Sequence, residues 1–277
     1  MIDFSPLWLI VPAFAKDVSA VSGFLKNHKW FLQNAGHILI KMSATQDSTK
    51  NEKEVPLGTT FIWQSDTSVY DAWNQGIEYL EGIAFGDDRY VAFMGIDDCL
   101  SMEFISQASS LINREPRLDI IYGDTIHRYR GMTFRRTAPK VSRLFNADSY
   151  TFDIGHPGVL NRWELVKGRR FDCSLKLAAD LDFYIGISQA QTVQAKKVDS
   201  IQAVVGSEGI SNTPSAKLIY ECEWNAIEQK RGVSIDRHRS WAFIAGLIAR
   251  SPRLFEVIRV IVWKFRQMLQ RSRNHGS

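Results

Sequence analysis

Short apolar runs at residues 7–12, 37–42, 58–63, 89–95 and 118–122 alternate with stretches whose apolar positions recur at helical spacing. Helices are expected at about 17–33, 69–84 and 101–114; in the second, Val69, Ala72, Trp73, Gly76, Ile77 and Leu80 fall on one face. Strand and helix in alternation predict βα units, hence a largely parallel sheet covered by helices. The polar, turn-rich stretch 43–56 is expected to be a surface loop just past the second strand, at the edge where open α/β sheets bind ligands.

After residue 124 the rhythm changes. Arginines and aromatics mix from His127 to Phe134, a loop surrounds Asn146 to Tyr150, and glycines punctuate Gly155-His156-Pro157-Gly158. A helix at about 174–189, an apolar strand near 197–205, a loop from Gly206 to Pro214 and three helical segments complete the chain, with Pro252 separating the last two. This divides the chain into a domain over 1–231, itself two halves (1–124 and 125–231), and a tail over 232–277.

Composition narrows the class. A chain of 277 residues, 45% apolar and 23% charged, can bury one sizeable core. Cys99, Cys173 and Cys222 are scattered without zinc-like spacing, which fits a reducing cytoplasm better than a disulfide framework. Leu7 to Val11 followed by Ala13-Phe14-Ala15 imitates a signal peptide. It lacks a basic leading region, carries Asp3 and reaches Pro12 too soon, so it reads as a buried first strand.

Charge is uneven. From residue 237 onward there are nine basic residues and one acid, Glu256, so the tail carries +8 of a total +4 and the remainder about −4. Arg253 to Arg273 places Leu254, Val257, Ile258, Ile261, Val262, Phe265, Met268 and Leu269 on one broad face. Charges interrupt that segment too often for it to span a bilayer. It suits either the surface of an anionic membrane or packing against the domain or another subunit. No nucleic-acid-binding motif accompanies the basic tail, so nucleic acid is not expected as a partner.

Candidate chemistry begins where the run Val91-Ala92-Phe93-Met94-Gly95-Ile96 stops at Asp97 and Asp98. Adjacent carboxylates at a strand end suit a hard cation, Mg²⁺ or Mn²⁺, that leaves positions open for phosphate oxygens. The same pair also suits capping of the helix near Ser101.

Upstream lies Ser65-Asp66-Thr67-Ser68-Val69-Tyr70-Asp71-Ala72-Trp73-Asn74-Gln75-Gly76-Ile77. With the strand ending in Asp97-Asp98, this resembles the family 2 glycosyltransferases of the GT-A fold, especially bacterial polysaccharide-assembly members. Those show D-x-G-I-Y-D-A-M-N-K-G-I followed by F-L-G-A-D-D. Further matches run in order through Ile121-Tyr122-Gly123-Asp124, His156-Pro157-Gly158, Phe171-Asp172, Ala178-Ala179-Asp180-Leu181-Asp182-Phe183 and Gly209-Ile210-Ser211. The likeness covers about residues 7–231.

The resemblance implies a GT-A nucleotide-diphospho-sugar transferase fold, to which the tail adds a C-terminal helical extension; the expected place is the cytoplasm, with the inner face of the cytoplasmic membrane as the surface the tail could meet. The implied reaction is metal-dependent, inverting transfer of a sugar from a nucleotide-sugar, UDP-sugars favoured, to a hydroxyl of a saccharide or lipid-linked acceptor. Asp97 and Asp98 match the metal motif, although Gly95 stands where a full D-x-D has its first acid. Asp180 matches the general base, with first-turn stabilisation of a helix as the plain alternative for Asp180 and Asp182. Pro12, Met42, Asp71, Asn74, Asp97 and His156 fall at positions bordering the donor. Asp71 equally suits a helix start, His156 a turn, and Trp73 the core. In place of the usual D-G-G-S-x-D-G-T the chain has Met42 to Thr49, so Met42 replaces the acid that contacts the nucleobase.

Overall fold

The computed structural model describes residues 4, 6–14, 18–43, 56–83, 85–129, 132–145, 150–151, 153–206 and 216–236. The 43–56 loop (save its ends), most of the Gly206 to Pro214 loop and the basic tail beyond residue 236 lie outside them, and with them Asp47, Thr49 and Gly209-Ile210-Ser211.

Among the described residues nine strands form one sheet: β1 (Leu7–Phe14), β2 (His37–Ser43), β3 (Thr59–Trp63), β4 (Tyr90–Phe93), β5 (Cys99–Leu100), β6 (Ile120–Tyr129), β7 (Met132–Arg136), β8 (Leu160–Arg162) and β9 (Ala195–Gly206). Their order is β3-β2-β1-β4-β8-β6-β9-β5, with β7 paired to β6. The neighbours β3, β2, β1 and β4 are mutually parallel. Antiparallel β8 lies between β4 and β6, and β9 runs parallel to β6, so β1–β4, β6 and β9 all point one way. The expected largely parallel sheet is therefore present, interrupted by three short reversed strands.

Alternation along β1 and β2 sends side chains to two cores. Leu7, Leu9, Val11, Ile38 and Ile40 meet α1 (Val18–Asn27), α2 (Lys29–Gln33) and α4 (Met102–Arg114). Trp8, Ile10 and Leu39 meet α3 (Val69–Gly82), and the same core takes in α5 (Trp163–Val166), α6 (Ala179–Ala190) and α7 (Ala216–Arg231).

Local chemistry sets the helix starts. Ser68 caps α3, its Oγ accepting the Asp71 N–H at 3.1 Å, while Asp71 Oδ2 accepts the Thr67 N–H at 2.9 Å. This reciprocal pair satisfies two otherwise orphaned donors. Ser101 caps α4 by accepting the Phe104 N–H.

The single helix expected at 17–33 is divided at His28. Its Nδ1 bonds the Phe24 carbonyl at 2.8 Å and its Nε2 accepts the Leu100 N–H at 2.9 Å, so a side chain buried in the core ties the end of α1 to β5. The helix expected at 174–189 starts only at Ala179. The aromatic and Arg-rich stretch from His127 onward is the β6–β7 hairpin.

Candidate active site

Parallel strands bring their C-terminal ends to one edge, and β4 delivers Asp97 and Asp98 there. The plain capping alternative does not hold for this pair, because Ser101 itself caps α4. Instead the chain folds back. Asp98 Oδ2 accepts the Gly95 N–H at 2.8 Å, and the Gly206 N–H at the end of β9 also points to this carboxylate.

Two glycines make room. A Cβ on Gly95 would lie 2.9 Å from Asp97 Oδ1 and 3.1 Å from Asp98 Oδ2, and one on Gly206 would strike Asp97 Oδ2. Gly95 thus packs against the carboxylates of the two acids that follow it. An acid at that position, as in a full D-x-D, would displace them.

Asp97 is exposed and Asp98 buried. Burial, reinforced by the charge of Asp97 and opposed by the Gly95 and Gly206 N–H groups, pushes the Asp98 carboxyl up to about 7. A cavity of about 320 Å³ adjoins the pair, with Gly23 and Asn27 of α1, Cys99 and Arg128 among its walls. Burial raises the Cys99 thiol, with the nearby Arg128 working against it.

This donor set fits a divalent cation. Two neighbouring carboxylates, one of them prone to take up a proton, are relieved by a positive ion between them. No group of three or more His, Cys, Asp or Glu suited to a metal occurs among the described residues. The chain would supply these two oxygen donors, leaving the remaining positions to phosphate oxygens and water, as Mg²⁺ prefers.

Asp180 occupies the first turn of α6, whose cap position is Ala178 and offers no side-chain acceptor. Its Oδ1 accepts the Leu181 N–H at 2.9 Å. The residue keeps partial exposure, but shielding of the carboxyl pushes it up to about 7. Tyr70 of α3, Arg136 of β7 and Tyr220 and Glu223 of α7 surround it. Tyr70 begins α3 shortly after the end of β3, so Asp180 sits at the same edge of the sheet as Asp97, on the α3 side. No hydrogen bond, ion pair or ring contact joins Asp180 to Asp97 or Asp98 among the described residues.

Asp182, next but one, does something else. It is buried and holds Arg231 through two hydrogen bonds of 2.7 and 2.8 Å, with Lys230 at 3.0 Å, fastening the end of α7 to α6.

The other sequence candidates are placed as follows. Pro12 lies in β1 beyond Ile10, the last residue paired to β4. The Ile10 carbonyl accepts Met94 N–H, so alternation turns the missing N–H of Pro12 to the side where β4 has ended. Met42 is buried, its side chain in the apolar layer with Val21 and Phe24. Asp71 serves the cap of α3. Asn74 clamps the Phe171 backbone, donating to its carbonyl at 2.9 Å and accepting its N–H at 2.8 Å. His156 is 7% exposed among Trp73, Phe93, Phe171 and Tyr184, both ring nitrogens without a partner among the described residues. Burial lowers it to about 3, so it stays neutral.

Sequence reasoning did not single out Lys41, Tyr70, Arg128 or Glu223. Lys41 is fully buried and pairs with Asp66 at 2.6 Å, across the ends of β2 and β3. The lysine in an apolar strand was a readable signal; Glu223 offered none.

The described residues thus make a mixed α/β fold with a mostly parallel sheet and acids beyond the strand ends. Among solved structures, the chain is similar to S. aureus TarS 1–349, with a TM-score of 0.50 and 18% identity over 77% of this chain and 64% of that one. It therefore spans just under two thirds of that structure. A mycobacterial protein aligns with a TM-score of 0.48 and 9% identity over 82% of this chain and 75% of that one. No protein-family model matches the chain, and no curated protein matches it. No helix among the described residues is long and apolar enough to cross a membrane.

Proposed function

We propose that this chain is a metal-dependent, inverting glycosyltransferase that moves a sugar from a nucleoside-diphosphate carrier to a hydroxyl of a saccharide or lipid-linked acceptor. The carrying observation is the pair Asp97 and Asp98, folded around Gly95 at the C-terminal edge of the sheet and opening on a cavity. The fold shared with TarS, a glycosyltransferase, supports the reading at the level of architecture.

Asp97 and Asp98 would hold Mg²⁺ or Mn²⁺, which when bound neutralises charge on the departing diphosphate. Asp180 would act on the other side of the reaction. Its carboxylate takes the proton of the acceptor hydroxyl as that oxygen bonds to the anomeric carbon. The bond from that carbon to the diphosphate oxygen breaks, its electron pair leaving with the diphosphate, and a single displacement inverts the centre. A base held near neutrality suits that task at physiological pH.

The test is release of nucleoside diphosphate from a panel of nucleotide-sugars with Mn²⁺ or Mg²⁺. The native chain is expected to turn over, and Asp97→Ala, Asp98→Ala and Asp180→Asn to lose most of that turnover. Activity that survives all three substitutions removes the mechanism.

One observation favours a second reading. With Met42 in the apolar layer and Lys41 bound to Asp66, the end of β2 offers no free acid to a nucleobase among the described residues. A GT-A relative that binds a sugar nucleotide or glycan and serves as an assembly partner at a membrane fits that feature. Metal-dependent nucleotide binding without hydrolysis or transfer to any acceptor would select it.

A further inference from the structure

Glu223 lies on α7, far along the chain from the segment it touches. One of its carboxylate oxygens accepts the Lys176 N–H at 2.6 Å, and the other accepts those of Leu177 and Ala178, both at 2.9 Å. Ala178 is the cap residue of α6 and supplies no acceptor of its own. A helix start leaves several backbone donors without intrahelical partners, and here a carboxylate from another helix takes the three just ahead of the first turn. That turn carries Asp180.

Glu223 is 9% exposed, so its carboxylate is largely shut off from water. Tyr220, three residues earlier on the same face of α7, also approaches Asp180. Among the described residues, the groups facing the Asp180 carboxyl are therefore Tyr70 from α3, Arg136 from β7, Tyr184 on α6 itself, and Tyr220 and Glu223 from α7. Arg136 is the cation in this set and Glu223 the other acid.

We propose that Glu223 is a positioning residue for Asp180, fixing the start of α6 by three backbone hydrogen bonds and placing a negative charge beside the base. This rests on the assignment of Asp180 as the base. The hydrogen bonds determine where the carboxyl stands relative to an acceptor hydroxyl. The charge favours the proton-bound form of Asp180, so Glu223 contributes to the pH at which the base becomes free to work.

The two contributions separate by substitution. Glu223→Gln keeps one acceptor oxygen and removes the charge. Glu223→Asp keeps the charge but withdraws the carboxylate by one methylene. In the full chain, the acid limb of kcat/KM is expected to move to lower pH in E223Q and to stay near its native position in E223D. In both, kcat is expected to fall, by about tenfold for a misplaced base.

Titration of the Asp180 carboxyl, followed by carbon NMR and assigned with Asp180→Asn, gives a readout that needs no turnover. It is expected to shift downward in E223Q. A native chain without transfer activity whose Asp180 titration nevertheless moves in E223Q refutes the glycosyl-transfer reading alone and upholds the coupling between the two acids. An unmoved titration in E223Q, with kcat in both variants within about twofold of native, overturns the proposal. Poor folding of E223Q does not block the test, because E223D retains the charge and still predicts a lowered kcat with an unshifted acid limb.

Discussion

Asn74 and Phe171 stand 97 residues apart, yet the amide of the first holds both the N–H and the carbonyl of the second. One side chain on α3 thereby joins the segment leading into α6 to the β1–β4 half of the sheet. The motif residue that resemblance assigned to the donor border clamps α3 to the segment ahead of α6.

Removing the clamp should be costly. Asn74→Ala leaves a backbone donor and acceptor in a partly buried place without partners, at about 1–3 kcal/mol. Asn74→Asp keeps the acceptor but turns a second oxygen toward the Phe171 carbonyl, and should be no better. Urea unfolding of both variants measures the loss; stability equal to native in Asn74→Ala contradicts the clamp.

Gly206→Ala puts a methyl where Asp97 Oδ2 lies. The acid must swing away, so the Mn²⁺ concentration for half-maximal nucleotide binding should rise on the order of tenfold, as for other disturbed ligand supports. Thermal stability should change little, since β9 ends here. Gly95→Asp, which restores a three-residue acidic motif, should weaken metal-dependent binding rather than strengthen it.

Asp180→Asn should separate activity from stability. The folded carboxyl titrates at about 7 against an ordinary 3.8, so the folded state binds the extra proton between those values. That contribution is present at low pH and is lost as pH rises through this window. The neutral amide avoids the loss. The variant should gain on native protein as pH climbs from 4 to 8, reaching about 1–3 kcal/mol after allowance for partial exposure, while transfer activity collapses. The native acid limb of kcat/KM should lie near 7.

His156 has the opposite sign. Its folded value of about 3 lies below the ordinary 6.5, so its contribution is present above 6.5 and is lost as pH falls toward 3. Replacing it with Phe removes two buried nitrogens without partners and should hold or raise stability at pH 7. The native chain should then lose about 2 kcal/mol relative to His156→Phe between pH 6.5 and 5. Nucleotide affinity in the variant, read by calorimetry, should stay at the native value.

Patterns that repeat along the chain were readable. The parallel strands, α3 and α4 declare themselves because burial on a sheet or helix face imposes a period on the residues. What escaped was made by distant partners. His28 divides a helix because Leu100 needs an acceptor, and β5 and β8, at two and three residues, are too short to show a period. The start of α6 lies at Ala179 because Glu223, 45 residues beyond Ala178, holds the preceding segment. The acidic pair was legible as a candidate from its place after the apolar run that forms β4. Its shape was not, because Gly95 and Gly206 act by lacking a side chain.

The attachment of α7 bears on where this molecule can be cut. Ending the chain at Gly206 would retain the whole sheet and α6, and so would look like a complete domain by its strands. It would also strip the acceptor from three N–H groups at residues 176–178 and leave Asp182 buried opposite no cation. A piece that keeps the surroundings of Asp180 therefore extends at least through Arg231, and a protease nick between β9 and α7 would disturb them only if the severed helix were free to leave.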